Sequence, residues 1–277
     1  MVPTPTWQPR RFIRQESEPF DTSTGTAVWK TDATFGFVKA LGNRAGEHAM
    51  ASEFVASSLA AWFGLIVPDF ALLTLPEELC YPLPRGAKTK PGPAFASRKI
   101  VGRTWGGSAE ELTEVVNPEA VTWLVVFDTW VRNRDRYPPN ILTRKANYAN
   151  VFLADTESVN GVRLCAIDHT HCFDDEEEFT RRVADTGRIR DDRTFGLFPA
   201  FGPRIRPASL HDCRAKLLTL QRQEVEAIIN LIPSEWQVNT WQRANLADLI
   251  LQRASYVADR IENGWRPENP PAPEHQP

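Results

Sequence analysis

Cysteine is scarce in this chain. The four present (Cys80, Cys165, Cys172 and Cys213) show no CxxC spacing, which excludes a zinc ribbon or a dithiol redox motif. A reduced, cytoplasmic protein is the simpler expectation. Long apolar runs are missing too. "AVTWLVVFDTW", among the richest, falls well short of the roughly 20 residues a membrane-spanning helix needs. The beginning, "MVPTPTWQPRRF", has no apolar core of a secretory signal, so no membrane anchor is expected. A surplus of charge is also lacking: the net charge is −3 and the pI about 6.0. No general pull toward nucleic acid or an anionic surface follows, and no direct nucleic-acid binding is expected. Internal repeats at solenoid periods are absent.

What is present is a core-forming composition, 42% hydrophobic and 24% charged over 277 residues. That suffices for one large or two-lobed domain. "RRFIRQES", "TAVWKT" and "FGFVKAL" read as strands, with turn chemistry in "DTSTGT". "GNRAGEHAMASEFVASSLAAWFGL" reads as a helix stopped at Gly64, and "IVPDFALLTL" returns to strand. Residues 76–93 turn to Pro, Gly and Lys and suggest a loop or a lobe boundary. A buried helix is expected in "NPEAVTWLVVFDTWVRN", a hairpin in "NVFLAD" and "VRLCAIDH", and helices in the last third. The expectation is α+β: a β-rich lobe over 1–93, a mostly helical lobe over 94–265, and a disordered tail over 266–277.

Four residue groups carry chemistry. Lys39 lies in an apolar strand, Glu53 on the following helix, Asp135 and Asn140 in "RNRDRYPPNIL", and Asp168 at the end of the second hairpin strand. Each has an ordinary alternative. A strand lysine can face solvent by alternation, a helix glutamate can be solvated, Asp135 can pair with a neighbouring arginine, and Asp168 can simply end a strand. Their order is more telling than any one of them. Phosphoryl transfer needs a cation on the phosphates, a carboxylate to hold that cation, a base near the acceptor hydroxyl, and oxygen ligands for magnesium. His169 and His171 alternate without spaced partners, which is no zinc pattern. The run "DDEEE" at 174–178 reads as a solvated face.

The stretches "FVKALGNRAGEHAMASEFVASSLAAWFGLIVPDFALL", "VFDTWVRNRDRYPPNIL" and "CAIDHTHCF" resemble the compact HipA-like kinases, and more distantly the phosphatidylinositol 3/4-kinase core. The likeness runs from about Phe12 to Phe173. It implies a protein-kinase-like fold and a use of ATP and Mg²⁺. By the same likeness Lys39 is the phosphate-binding lysine, Glu53 its partner, Asp135 the catalytic aspartate, and Asn140 and Asp168 the magnesium ligands. "DTSTG", with Ser23, Thr24 and Gly25, is then the phosphate-covering loop, and "PAFASRKI" the segment beside adenine. The chain departs from the pattern at three points. Its loop has the single glycine Gly25, Asp168 is followed by histidine where protein kinases have Phe-Gly, and Tyr137 replaces a frequent histidine.

The resemblance implies transfer to a hydroxyl of a protein substrate, at serine or threonine, with an antitoxin-like or regulatory partner. Two other readings keep the fold: a small-molecule or lipid-headgroup kinase, and a non-catalytic nucleotide-binding module.

Overall fold

The computed structural model describes residues 7–140, 145–156, 160–174, 179–180 and 183–267. The expected disordered tail, beyond its first two residues, and the acidic run beyond Asp174 lie outside the described residues.

The amino-terminal strands alternate so that one face can be buried. β1 (Phe12–Gln15), β2 (Ala27–Thr31), β3 (Phe35–Lys39), β4 (Phe70–Leu75) and β5 (Gly92–Arg98) form an antiparallel sheet in the order β1-β2-β3-β5-β4. On β3 the even residues bury Val38 with Trp7, Trp29 and Tyr81 in a small core on one side of the sheet. The odd residues Phe37 and Lys39 face the other side, with Phe95 and Ser97 of β5. Alternation therefore turns Lys39 inward, not to solvent.

The sheet corrects the expected boundary at residue 93. Strand β5 begins at Gly92 and pairs with both β3 and β4, so the first lobe extends through Arg98. Of its two expected readings, the Pro-rich stretch is a loop. It is an excursion between two paired strands, fastened by Tyr81 on Trp29 and by reciprocal bonds between Tyr81 and Thr89.

Helix α1 (Glu47–Phe63) is rich in alanine, the best helix former, and is buried along nearly its whole length. Gly64 ends it in the left-handed conformation (φ 107°), with its N–H returned to Ala60 and Ala61. The apolar residues of α1 belong to the same large core as the helical part of the chain. Trp236 packs edge-on against Phe54 and donates to the Pro93 carbonyl at 3.0 Å. It thus clamps α1 and the sheet onto the second lobe.

That lobe holds α2 (Ala120–Val131), the short α3 (Thr186–Ile189), and α4 (Pro207–Leu218), α5 (Arg222–Asn230) and α6 (Thr240–Glu262). A three-stranded sheet of β6 (Gly102–Thr104), β7 (Val151–Asp155) and β8 (Val162–Ala166) lies in the order β6-β7-β8, with β7 and β8 as the expected hairpin. The molecule is α+β, a curled sheet followed by a helical part. The helical stretch "LHDCRAKLLTLQRQEVEAIINLI" holds two helices, α4 and α5. Gln221 and Glu224 form a capping box that restarts the chain as α5. Among the described residues no helix is long and apolar enough to cross a membrane.

The end of α2 fixes where the loop after it begins. Its last carbonyls carry the negative end of the helix dipole, and fully buried Arg253 of α6 meets them. Arg253 donates to Trp130 O at 2.8 Å, to Thr129 O, and to Arg188 O at 2.7 Å. Burial, aided by nearby Arg132, pushes Arg253 down to about 9, so it stays charged at neutral pH. Arg253→Met should strand these carbonyls without donors. A loss of about 3 kcal/mol or more is expected, read as a lowered midpoint in urea denaturation.

Candidate active site

Strand β3 brings Lys39 to the floor of the space between the lobes, and α1 brings Glu53 opposite it. The Lys39 ammonium donates to Glu53 Oε2 at 2.5 Å, to Asp168 Oδ1 at 2.9 Å and to Thr170 Oγ1 at 2.8 Å. Three donors meet three acceptors. Burial disfavours the charge on Lys39, but the Asp168 and Glu53 carboxylates outweigh it and raise the lysine above its ordinary range. Burial likewise opposes ionisation of Glu53, yet Lys39 and then His169 hold it well below the usual glutamate range. The pair is charged and ordered.

Asp168 follows β8 in the left-handed conformation (φ 57°), which aspartate tolerates better than most residues. The turn lets Asp168 and Thr170 both reach Lys39 while the His169 N–H donates to Glu53 Oε2 at 3.1 Å. The His169 ring is buried, with Nδ1 3.2 Å from Ser57 Oγ. Cys165 and Cys172, near this turn, are buried thiols, and burial pushes Cys165 up to about 12.

The catalytic-loop candidate leaves α2 through Arg132, also left-handed (φ 56°). Asp128 anchors it from inside the helix. This carboxylate has no exposed surface and accepts from Arg136 Nε at 2.8 Å and Asn133 Nδ2 at 3.1 Å. Burial raises its pKa, with Arg136 and Asn133 opposing. Gly196 seats against it. A Cβ there would stand 2.2 Å from Asp128 Oδ2, on a backbone at φ 72°, so only glycine fits. Arg136 also reaches Ile167 O at 3.0 Å, and the Arg134 N–H reaches His171 O at 3.2 Å. These bonds tie the Asp135 loop to the Asp168 turn.

Asp135 itself is half-buried. Its N–H donates to Asn133 Oδ1 at 3.0 Å, and its Oδ2 accepts from Asn147 Nδ2 at 3.1 Å and Asn150 Nδ2 at 2.7 Å. Asn140 is exposed and borders residues 141–144, outside the described residues. Asn147 N donates to Arg136 O at 2.8 Å, so these two residues are neighbours in space. Counted across that bond, Asn150 falls five places after Asp135. Asn150 also directly precedes β7, and its carbonyl accepts from Arg136 and from Ile167 N. Spacing along the chain gives Asn140, and spacing counted through the Arg136–Asn147 hydrogen bond gives Asn150.

Above this floor lies a cleft of about 540 Å³. Phe37 and Phe95 line it from the first sheet, and Phe152 of the second sheet with Ile167 just after β8 from the other side, a pair of apolar walls suited to a flat ring. Lys39, Glu53 and Asp168 form its polar end. Lys99 and Ile100, in the expected "PAFASRKI" segment, lie at its rim. The "DTSTG" loop contributes differently from expectation. Phe20, Thr22 and Thr26 line the cleft, whereas Thr24 and Gly25 are buried, Gly25 under Leu83. Ser23 is half-buried, and its carbonyl accepts from Arg44 and Ala45, just before α1.

The family model of the HipA-like kinases matches residues 29–265, nearly the whole of both lobes. The chain belongs to the HipA-like kinases. Among solved structures this kinase is similar to the Helicobacter pylori proinflammatory kinase CtkA, with a TM-score of 0.56 and 12% identity. The match covers 86% of this chain and 94% of that one; at that identity it speaks for the fold. No curated protein sequence matches.

The lowered pKa of Glu53 fixes a pH dependence. A carboxyl whose folded pKa lies below its unfolded value stabilises the fold above that value, and loses this as pH falls toward the folded pKa. Glu53→Gln should therefore melt below the parent at pH 7. The gap should shrink as pH drops below the ordinary glutamate value of 4.5, as measured by thermal melts across pH. A gap that widens on acidification contradicts the assignment.

Proposed function

We propose that this kinase binds ATP with magnesium in the interlobe cleft and transfers the γ-phosphoryl group to a hydroxyl, at a serine or threonine of a protein. The observation that carries the nucleotide part is the buried Lys39–Glu53 pair joined to Asp168 at the polar end of an apolar-walled cleft. The protein acceptor rests on family likeness.

The donor set fits a hard cation. Asp168 offers a carboxylate that is 39% exposed and Asn150 a carboxamide oxygen. Magnesium is commonly held by one or two carboxylates together with substrate phosphates, so these ligands suffice. When bound, the ion neutralises charge on the phosphate oxygens. In this reading Asn150 takes the part that spacing gives to Asn140. Lys39 binds the phosphates, and Glu53 keeps the ammonium aimed. Asp135, fixed by two carboxamides and by the Asn133 cap on its N–H, orients the acceptor hydroxyl and receives its proton as the new O–P bond forms and the γ-phosphorus bond to the departing ADP breaks.

Four variants separate these roles, with Kd for Mg·ATP and transfer rate measured on each. Asp168→Ala should lose Mg²⁺-dependent nucleotide binding. Asp135→Asn should keep binding and lose transfer by about 10²-fold or more. Asn150→Ala should raise the Mg²⁺ requirement, while Asn140→Ala stays near the parent. Asn140→Ala behaving like Asp168→Ala, with Asn150→Ala silent, would return the ligand role to Asn140.

A further inference from the structure

Thr170 matches no expected site residue, yet its hydroxyl sits at the centre of the Lys39 cluster. It is 5% exposed and lies 2.8 Å from Lys39 Nζ, 2.9 Å from Glu53 Oε2 and 2.8 Å from Asp168 Oδ1. A hydroxyl has one proton and two lone pairs. Lys39 fills a lone pair, so the proton goes to one carboxylate or the other. Glu53 Oε2 already accepts from Lys39 at 2.5 Å and from the His169 N–H at 3.1 Å. Asp168 Oδ1 accepts from Lys39 at 2.9 Å. The proton therefore gains more on Asp168, above all once Lys39 is drawn toward phosphate.

We propose that Thr170 is a positioning residue whose hydroxyl holds Asp168 Oδ1 when Lys39 engages the nucleotide, leaving the other carboxylate oxygen for the metal. The inference rests on the proposed kinase activity. Carboxylates that ligate metals are commonly held by such a hydrogen bond, and its removal typically costs 10–100-fold in metal affinity. A methyl group in the same place could fill space but could not hold the oxygen.

The test measures binding of the nonhydrolysable analogue AMP-PNP, with Mg²⁺ and with EDTA, to the full chain. Thr170→Val should raise Kd in Mg²⁺ by about tenfold or more and change Kd in EDTA by less than about threefold. Thr170→Ser, which restores the hydroxyl, should bind within about threefold of the parent. In the Asp168→Ala background Thr170→Val should add little, because its effect runs through Asp168. Equal losses with and without Mg²⁺, a serine variant as weak as the valine one, or additive losses with Asp168→Ala overturn the proposal. If melting shows that the valine variant does not fold, Thr170→Ala takes its place under the same criteria. A parent chain that binds no Mg·AMP-PNP refutes the kinase reading itself, and this proposal with it.

Discussion

One ammonium group joins three separate parts of the chain. Lys39 comes from the first sheet, Glu53 from the long buried helix, and Asp168 with Thr170 from the turn after the second hairpin. Residues 39 and 168 are far apart in sequence, so the contact exists only if both lobes are folded and docked. Burying one cation and a carboxylate is costly unless every donor and acceptor is matched, and here the three N–H donors are. The arrangement therefore acts as a check on the fold. A displaced helix α1 or a slipped strand β3 leaves a buried charge without its partner.

The surrounding packing serves that requirement. Helix α1 cannot move on its own, since it shares a core with α2 and the carboxy-terminal helices and is clamped by Trp236. The catalytic-loop candidate is governed by a second buried ion pair, Arg136 with Asp128. Arg136 is the link between the two systems. It holds Asp128, the Asn150 carbonyl and the Ile167 carbonyl, one residue from Asp168. Asp135 and Asp168 are thus placed by one guanidinium, whose planar fork suits several fixed acceptors better than a lysine would.

The strands, α1 with its glycine stop, and the β7–β8 hairpin were legible in the sequence, because alternation, helical spacing and turn residues are local signals. So was the polar end of the cleft: Lys39, Glu53 and Asp168 stand in sequence contexts of the right type and order. Two things were not legible. The Pro-rich stretch could be a loop or a boundary, and composition does not reveal that the following strand returns to the middle of the same sheet. Asn150, proposed for the part that spacing gives Asn140, was not singled out, because spacing counts residues along the chain and does not show that Asn150 reaches Asp135. Thr170 was also missed, since a hydroxyl announces nothing until its neighbours are known.

The Asp-His departure at residues 168–169 is explained by the same separation of backbone from side chain. The polar task at position 169 falls to its N–H, which any residue but proline supplies, and that N–H is spent on Glu53. The side chain has a different task. It fills a buried slot, with its ring edge-on to Phe127 at 5.7 Å between centroids, a geometry that aromatic pairs favour. An imidazole can fill that slot and also meet Ser57 through Nδ1, adding a polar tie to α1 that phenylalanine could not make. The cost falls on Nε2, which is buried without a hydrogen-bond partner among the described residues. Such a cost is tolerable for a neutral ring and heavier for a charged one. The slot therefore accepts histidine as an aromatic ring first, while its backbone N–H serves the Lys39–Glu53–Asp168 cluster.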